Sequence, residues 1–482
     1  MKEIQKGLKY KKAQFSAWFS ELIARADLAD MRYNVKGFLV HRPWAVRAMK
    51  AMYALYEAEL EARGHRPVWF PAVIPETNFK IEAEHVAEFA PEVFWITSAG
   101  DGKKLTEKIA LRPTSETGMY RMYSIWIRSW RDLPLKLYQS CQVWRYETKA
   151  TRPFIRGREF WWIEAHNAFA TQKEALAQIK EDMAMTEEVM HKQFGIPFIF
   201  FKRPIWDKFG GAVDTYAADS LMPDGRIIQQ PSTHFLGQNF SKPFEIKFTD
   251  SDGKRKLVWQ TCYGPCIWRI FASVIAIHGD DKGLIFPFAI APLQVIIIPI
   301  LADKAIMEKC LQLKNKLSSH FRVDIDGSDH TAGWKFNEWE LRGVPIRLEI
   351  GEKELKNGMV TLCRRDSGQR VIFKEDQLID VIEREGQALT ENLKKRADEW
   401  FAGMINSAKN MDELKQKAKL GGFIRVPFCS IGEEGRICGE KLKSTLHLHV
   451  RGIRVDKEEK PEGRCIVCGK KAGCIVYIGR QY

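Results

Sequence analysis

At 482 residues, with 45% hydrophobic and 28% charged side chains, the chain is too long for one ordinary core and predicts a soluble globular protein of about three domains, at the usual ~100–200 residues each. No apolar run approaches the ~18 residues of a helical membrane span, and the basic start MKEIQKGLKYKK has no apolar stretch behind it, so membrane-spanning and secreted classes are excluded and a cytoplasmic location is expected. The net charge of +14 and pI near 9.2 point to a polyanionic partner such as nucleic acid, and 16 Lys and Arg against 9 Asp and Glu in 401–482 put half of that excess in the last sixth.

In chain order, Phe15, Trp18, Phe19, Leu22 and Ile23 recur at helical spacing and predict an amphipathic helix. A second helix is predicted over 44–63, ended by Gly64, and the prolines of PVWFPAVIP after it suit an edge strand or an interface. The apolar segments LPLKLYQSCQVW and WWIEAHNAFA read as buried strands, and 173–194 as a helix stopped by Gly195 and Pro197. From residue 291 the character changes. The run APLQVIIIPI, a helical segment at 303–319, FRVDID, a helical stretch at 332–342 and VPIRLEIG alternate strand with helix, which argues for an α/β unit. A charged helical connector is expected over 376–420, and GGFIRVPF then opens a cysteine-rich tail, so the domains are expected at 1–290, 291–395 and 396–482. No internal repeat or low-complexity segment stands out.

Between the two buried strands lies RYETKATRPFIRGREF. Arg145 and Glu147 are two apart, so on a strand they share a face; KATRPF, with Lys149, Arg152 and a proline, reads as a turn; Arg156 and Phe160, four apart, share a face on the return. Such a hairpin presents an arginine fork suited to phosphate and a flat apolar ring suited to a base. By composition alone a solvated surface hairpin fits the same residues.

Ten cysteines in an unsecreted chain do not read as a disulfide framework. Cys141, Cys262, Cys266, Cys310 and Cys363 are scattered and read as small buried thiols. The tail carries Cys429-x8-Cys438 and Cys465-x2-Cys468, with Cys474 just beyond. Paired thiolates from two turns suit a tetrahedral, structural Zn²⁺ site with no open position, Cys474 standing as an alternative to Cys438; no thioredoxin-like βαβ pattern surrounds the CxxC to make it a redox pair.

The Arg-x-Glu, loop, Arg-xxx-Phe pattern resembles motif 2 of the class II aminoacyl-tRNA synthetases, GHRPVWFPAVIP resembles motif 1, and YGPCIWRIFASVIAIHGDDKG resembles motif 3. With ALRPTSETGMY, DLPLKLYQS, EAH, STHFLGQNF and PFEIKF, essentially the whole chain is similar to the prolyl-tRNA synthetase family of archaeal and eukaryotic type. The resemblance implies an α+β fold: an antiparallel class II sheet flanked by helices, an α/β anticodon-binding domain over 291–395, and a small C-terminal zinc-binding domain. It implies activation of proline by ATP to prolyl-adenylate and transfer of the prolyl group to the 3′-terminal ribose of tRNA(Pro), by a homodimer. In this family pattern Arg145 holds the α-phosphate, Glu147 the adenine amino group and Arg156 the outer phosphates; Phe160 and Arg269 sandwich the adenine, and Gln229 adjoins them. Mg²⁺ is expected to arrive with ATP. For proline, the family's Thr-x-Glu loop matches Thr114 and Glu116, and the pocket positions match Trp162, Glu164, His166 and His234.

Two departures stand out. Asn167 and Phe169 replace the threonine and histidine usual after EAH, and YGPCIWR has one residue more before its arginine than the usual motif 3, which leaves the register near Cys266 unassigned. In the anticodon segment, reading bases in a single-stranded loop calls for exposed edges, aromatics and arginines, with Phe336, Glu340 and Arg347 as candidates, although Phe336 and Trp339 fit a helix core as well. About a hundred residues separate motifs 2 and 3, which leaves no room for a large editing insertion and predicts misactivation of alanine and of cysteine. Two other classes compete: a catalytically silent paralogue, which would have lost motif arginines that are present here, and a threonyl- or seryl-type enzyme. The threonyl type would need a catalytic zinc cluster in the amino-acid pocket, and none is visible in the sequence.

Overall fold

One long sheet, with most of its central strands buried on both faces, has helices laid against it. The computed structural model describes residues 7–83, 92–147, 150–301 and 303–482. Among these residues the main sheet has eleven strands: β1 (Arg66–Pro67), β2 (Leu135–Trp144), β3 (Glu159–Phe169), β4 (Ile199–Lys202), β5 (Asp214–Leu221), β6 (Ile227–Gly237), β7 (Trp259–Gly264), β8 (Ile405–Ser407), β9 (Phe423–Phe428), β10 (His449–Arg454) and β11 (Cys474–Gly479). Their spatial order is β8-β9-β11-β10-β4-β5-β6-β7-β3-β2-β1, antiparallel except for the outermost pairs, β8 with β9 and β1 with β2.

In β3, alternate residues Phe160, Trp162, Glu164 and His166 share one face, while Ile163 and Ala165 on the other join the largest core. That core is completed by the helices Phe15–Arg25, Pro43–Ala62 and Ile267–His278, which bury Trp18, Met52, Tyr56 and Phe271. Pro43 sits in the first turn of its helix, where a missing N–H does no harm. The helix predicted over 173–194 begins at a capping box of Thr171 and Glu174, runs as an α-helix to Thr186, and widens to π-helical turns over Glu187–Gln193 before Gly195, at φ +65°, ends it. PVWFPAVIP divides as its prolines require: β1 is a two-residue edge, Val73–Pro75 joins a separate three-stranded sheet, and Trp69 between them is 82% exposed.

The α/β unit has a five-stranded sheet ordered Val323–Ile325, Val295–Pro299, Ile346–Ile350, Met359–Arg364 and Arg370–Lys374, parallel in its first three strands. Val295–Pro299 is buried along its whole length because both faces are covered: Val295 and Ile297 meet the helices Lys304–Leu317 and Leu378–Gly403, while Ile296 and Ile298 join the largest core. The helical connector expected over 376–420 is instead the helix Leu378–Gly403, strand β8 and a helix Met411–Leu420 capped by Asn410. A three-residue strand is too short to leave a period in a charged sequence. Beyond it, β10 pairs with β4 at Ile453 and Lys202, so the cysteine-rich tail extends the main sheet. Among the described residues no helix is long and apolar enough to cross a membrane.

Candidate active site

The β2–β3 ladder runs from Leu135 opposite Ala168 to Trp144 opposite Glu159, and there regular pairing stops. Arg145 and Glu147 therefore lie just past a strand, and Arg156 lies in the loop; the sequence had placed all three on strands. The Arg145 N–H still donates to Arg158 O at 2.9 Å, and Arg152 and Arg156 exchange backbone bonds of 2.8 and 2.9 Å. Phe154 at φ +59° breaks the pleat, and a Cβ at Gly157 would lie 2.5 Å from the Trp268 ring, so the loop folds back against the motif 3 helix. Lys149 lies outside the described residues.

This hairpin, β6, β7 and the first turn of the helix Ile267–His278 enclose a cavity of about 490 Å³. Arg145, Glu147, Phe160, Gln229 and Arg269 line one part of it, and Thr114, Glu116, Trp162, Glu164, His166 and His234 another. Arg156 opens onto an adjoining recess shared with Arg145, Glu147, Phe160 and Arg269. The half-buried Arg145 guanidinium lies over the Trp162 ring at 4.8 Å and the Phe160 ring at 5.5 Å, with its Nε–H bonded to Pro113 O at 3.0 Å. Burial, and then the charge of Arg269 close by, push its pKa down: two like charges face one space, an arrangement that an anion relieves. Arg156 donates to Glu147 Oε2 at 2.8 Å and to the main-chain oxygen of Tyr482 at 2.9 Å. The Tyr482 hydroxyl is bonded to Asp224 at 2.5 Å, and the guanidiniums of Arg152 and Arg226 lie 5.5 and 5.3 Å from its ring. Nothing in the sequence links Tyr482 to this loop.

At the other end, the Thr114 hydroxyl touches Glu116 and lies 2.7 Å from Glu164 Oε1, while Ser115 bonds Glu164 through its hydroxyl and takes a bond from Gln139 at 2.6 Å. Burial opposes the charge on Glu116, but His166 and the Thr114 hydroxyl outweigh it and hold the carboxyl below its usual range. His166 Nδ1 is 3.3 Å from the Tyr120 hydroxyl, whereas its buried Nε2 has no hydrogen-bond partner among the described residues. His234 is different: its nitrogens meet Thr215 at 2.9 Å and Ser232 at 3.0 Å, and burial pushes its pKa down to about 4, so it is a neutral wall group. A Cβ at Gly264 would lie 2.6 Å from Trp162 Nε1, so only glycine lets that indole lie flat on β7.

Sequence reasoning missed the loop that joins β4 to β5. Phe209 of this loop lies 4.8 Å from the His234 ring, and its N–H donates to Thr215 at 2.9 Å. The opposite side of the loop is held by the tail: Ile205 N–H donates to Ile431 O at 3.0 Å, Trp206 packs on Gly439, and Arg203 and Arg451 both grip the buried Asp219 at 2.6 to 3.1 Å. No local pattern joins these residues; only the register of β10 on β4 does. Sequence reasoning also saw no metal-type cluster in the pocket, yet Glu116, His166 and Cys262 offer ligand atoms within 4.8 Å of one another, because Cys262 and His166 stand directly opposite on β7 and β3.

In the tail, Cys429, Cys438, Cys465 and Cys468 bring four sulfurs within 4.8 Å of one another, a donor set that fits a tetrahedral Zn²⁺. Cys474 is outside this group, with its thiol directed to Phe428 O at 3.7 Å. In the α/β unit, the Arg347 guanidinium stacks on Phe336 at 3.9 Å and bonds Glu349 at 2.9 and 3.0 Å and Glu340 at 3.4 Å. Arg347 is only 8% exposed, so the three candidates form one packed cluster.

Comparison with known proteins agrees along the whole chain. The profile described as tRNA synthetase class II core domain (G, H, P, S and T) matches residues 94–278, the anticodon binding domain 294–385, and the prolyl-tRNA synthetase C-terminal domain 411–482. The chain is 53% identical to the proline–tRNA ligase of Thermofilum pendens over 98% of both chains, and 43% identical to that of Pyrococcus abyssi over 97% of this chain and 98% of the relative. It resembles the solved Giardia lamblia prolyl-tRNA synthetase in complex with prolyl-adenylate with a TM-score of 0.94 at 34% identity, covering 99% of this chain and 100% of that one. The Cryptosporidium parvum prolyl-tRNA synthetase complexed with halofuginone and AMPPNP gives a TM-score of 0.91 at 31% identity, covering 99% of each chain.

Proposed function

The chain belongs to the proline–tRNA ligases, class II aminoacyl-tRNA synthetases that couple proline to tRNA(Pro) with ATP, and from that premise we propose which of its residues carry each step. Arg145 holds the α-phosphate, Glu147 receives the adenine amino group, and Arg156 meets the outer phosphates. Phe160 and Arg269 close on the two faces of the base, with Gln229 beside them. Glu116 takes the protonated amine of proline and Thr114 its second proton, while Trp162 covers the ring and Glu164, His166 and His234 complete the wall. The single observation that carries this reading is the facing pair Arg145 and Arg269, in one cavity with the buried Glu116.

The chemistry follows from charge. A proline carboxylate is already ionised near neutral pH, so attack on the α-phosphorus needs no general base. It builds negative charge on phosphoryl oxygens, which pre-placed guanidiniums stabilise without reorganising. The carboxylate oxygen bonds to phosphorus as pyrophosphate leaves, and the tRNA ribose hydroxyl then takes the prolyl carbonyl from AMP. Mg²⁺, brought by ATP, supplies charge neutralisation on the phosphates. Zn²⁺ in the four-cysteine cluster is structural.

The wider proposals are domains at 1–290, 291–395 and 396–482, cytoplasmic location, and the absence of a cis-editing insertion. A homodimer formed through the motif 1 region is favoured by the exposed Trp69. Phe336, Glu340 and Arg347 are proposed as the anticodon-reading group, with the buried Arg347 holding Phe336 and Glu340 in place and Glu340 offering the acceptor for a base edge. The test is ATP–pyrophosphate exchange over a panel of amino acids, repeated with Arg145→Ala. Proline-dependent exchange that drops about 10²–10³-fold in the variant is expected. A variant within about threefold of the parent would remove Arg145 from the phosphate.

A further inference from the structure

Glu116 and Glu164 are both buried, at 3% exposure, and neither forms an ion pair among the described residues. Around Glu116 stand two groups that an ammonium ion does not need: the Cys262 thiol and the His166 imidazole, whose Nε2 has no hydrogen-bond partner among the described residues. Their placement is set by the sheet, since Cys262 and His166 are cross-strand neighbours and Glu116 opens the helix Glu116–Trp126 that faces them. One carboxylate oxygen, one imidazole nitrogen and one sulfur within 4.8 Å of one another form a mixed set, and the 490 Å³ cavity beside them leaves room for water at the remaining positions. Such a set selects against Mg²⁺, which demands oxygen, and for a borderline-soft ion.

We propose that Glu116, His166 and Cys262 bind a thiophilic divalent cation, with Zn²⁺ as its representative, in the proline-free enzyme, and that this ion and the proline amine exclude each other. The second half rests on the reading of Glu116 as the amine's partner. Binding replaces the Cys262 S–H bond by a sulfur–metal bond and releases the proton to solvent, so the ion binds more tightly as pH rises. Zinc then acts as an inhibitor competitive with proline and indifferent to ATP.

The experiment uses the full-length protein with the four-cysteine cluster filled and its zinc content measured. Equilibrium dialysis against Zn²⁺ should show a second equivalent per chain, lost when proline is saturating. Co²⁺ at the second position should give a thiolate-to-cobalt charge-transfer absorption. Cys262→Ala should abolish that band and weaken the second equivalent at least tenfold while the first is retained, which also reports an intact fold; Glu116→Gln, a change of one atom, should weaken it as well. A single equivalent in the parent, or a second one with unchanged affinity and absorption in Cys262→Ala, overturns the site. A second equivalent that depends on Cys262 but persists at saturating proline overturns the mutual exclusion and, with it, the placement of the amine at Glu116.

Discussion

Gly439 lies in the helix Glu433–Leu446, one residue from the cluster ligand Cys438, and far in sequence from the proline pocket. A Cβ there would lie 2.8, 3.0 and 3.1 Å from three atoms of the Trp206 indole, where ordinary contact begins near 3.4 Å. Gly439→Ala must therefore push the indole, and with it the loop whose Phe209 packs on His234. Overpacking of this kind costs about 1–3 kcal/mol, while alanine in a helix interior returns about 0.5–1 kcal/mol relative to glycine. Global stability should thus change little. If the loop absorbs the strain by tilting off the pocket, the residual ~1–2 kcal/mol appears in proline binding, as a rise in KM for proline of about 5–30-fold. KM for ATP should be unchanged, because Phe209 of the loop packs on His234, at the proline end of the cavity. Pyrophosphate exchange with proline varied at saturating ATP reads the effect, and zinc content controls for damage to the cluster. A KM for proline within twofold of the parent, at full zinc content, would show that the tail does not hold this loop.

Burial raises the Asp182 carboxyl to about 7, so the folded chain keeps a proton that the unfolded chain loses near 3.8; the associated stability is fully present below about pH 3.8, falls as pH rises toward 7 and is flat above it. Asp182→Asn, which can still meet Thr233 and Gln178, should remove that slope and stabilise by roughly 1–3 kcal/mol at pH 8, read as denaturation midpoints at pH 5 and pH 8; equal slopes in both proteins would refute it. Cys468→Ser should lose the cluster zinc and Cys474→Ser should keep it, as elemental analysis will show. Alanine lacks two methylenes of the proline ring, each worth about 10–200-fold, so it should support pyrophosphate exchange about 10²–10⁴-fold less efficiently than proline, and undetectable exchange with both alanine and cysteine would contradict the expected misactivation.

The local features were legible because they depend on short-range periods. The helix at 332–342 appears as Ala332–Arg342, and WWIEAHNAFA lies, but for its last residue, within the strand Glu159–Phe169, while Trp162, Glu164 and His166 were marked out by the family resemblance. The motif arginines stood out by their order along the chain. Less accurate was the extent of regular pairing: Arg145 lies past β2 because Phe154 and Gly157 turn the loop toward Trp268, a partner more than a hundred residues away.

What the sequence determined unaided is which side chains are present, which face many of them occupy within regular helices and strands, and the class of chemistry that three arginines, a Thr-x-Glu loop and four clustered cysteines can support. The tertiary structure alone decided which of them meet. Cys262 faces His166 through the register of β7 on β3, Trp206 meets Gly439 because β10 joins β4, and the Tyr482 main-chain oxygen reaches Arg156 across the same sheet. Helical and strand periods arise from neighbours a few residues apart and so are written locally. Strand register and loop docking are selected by burial summed over the whole sheet, to which no single segment holds the answer.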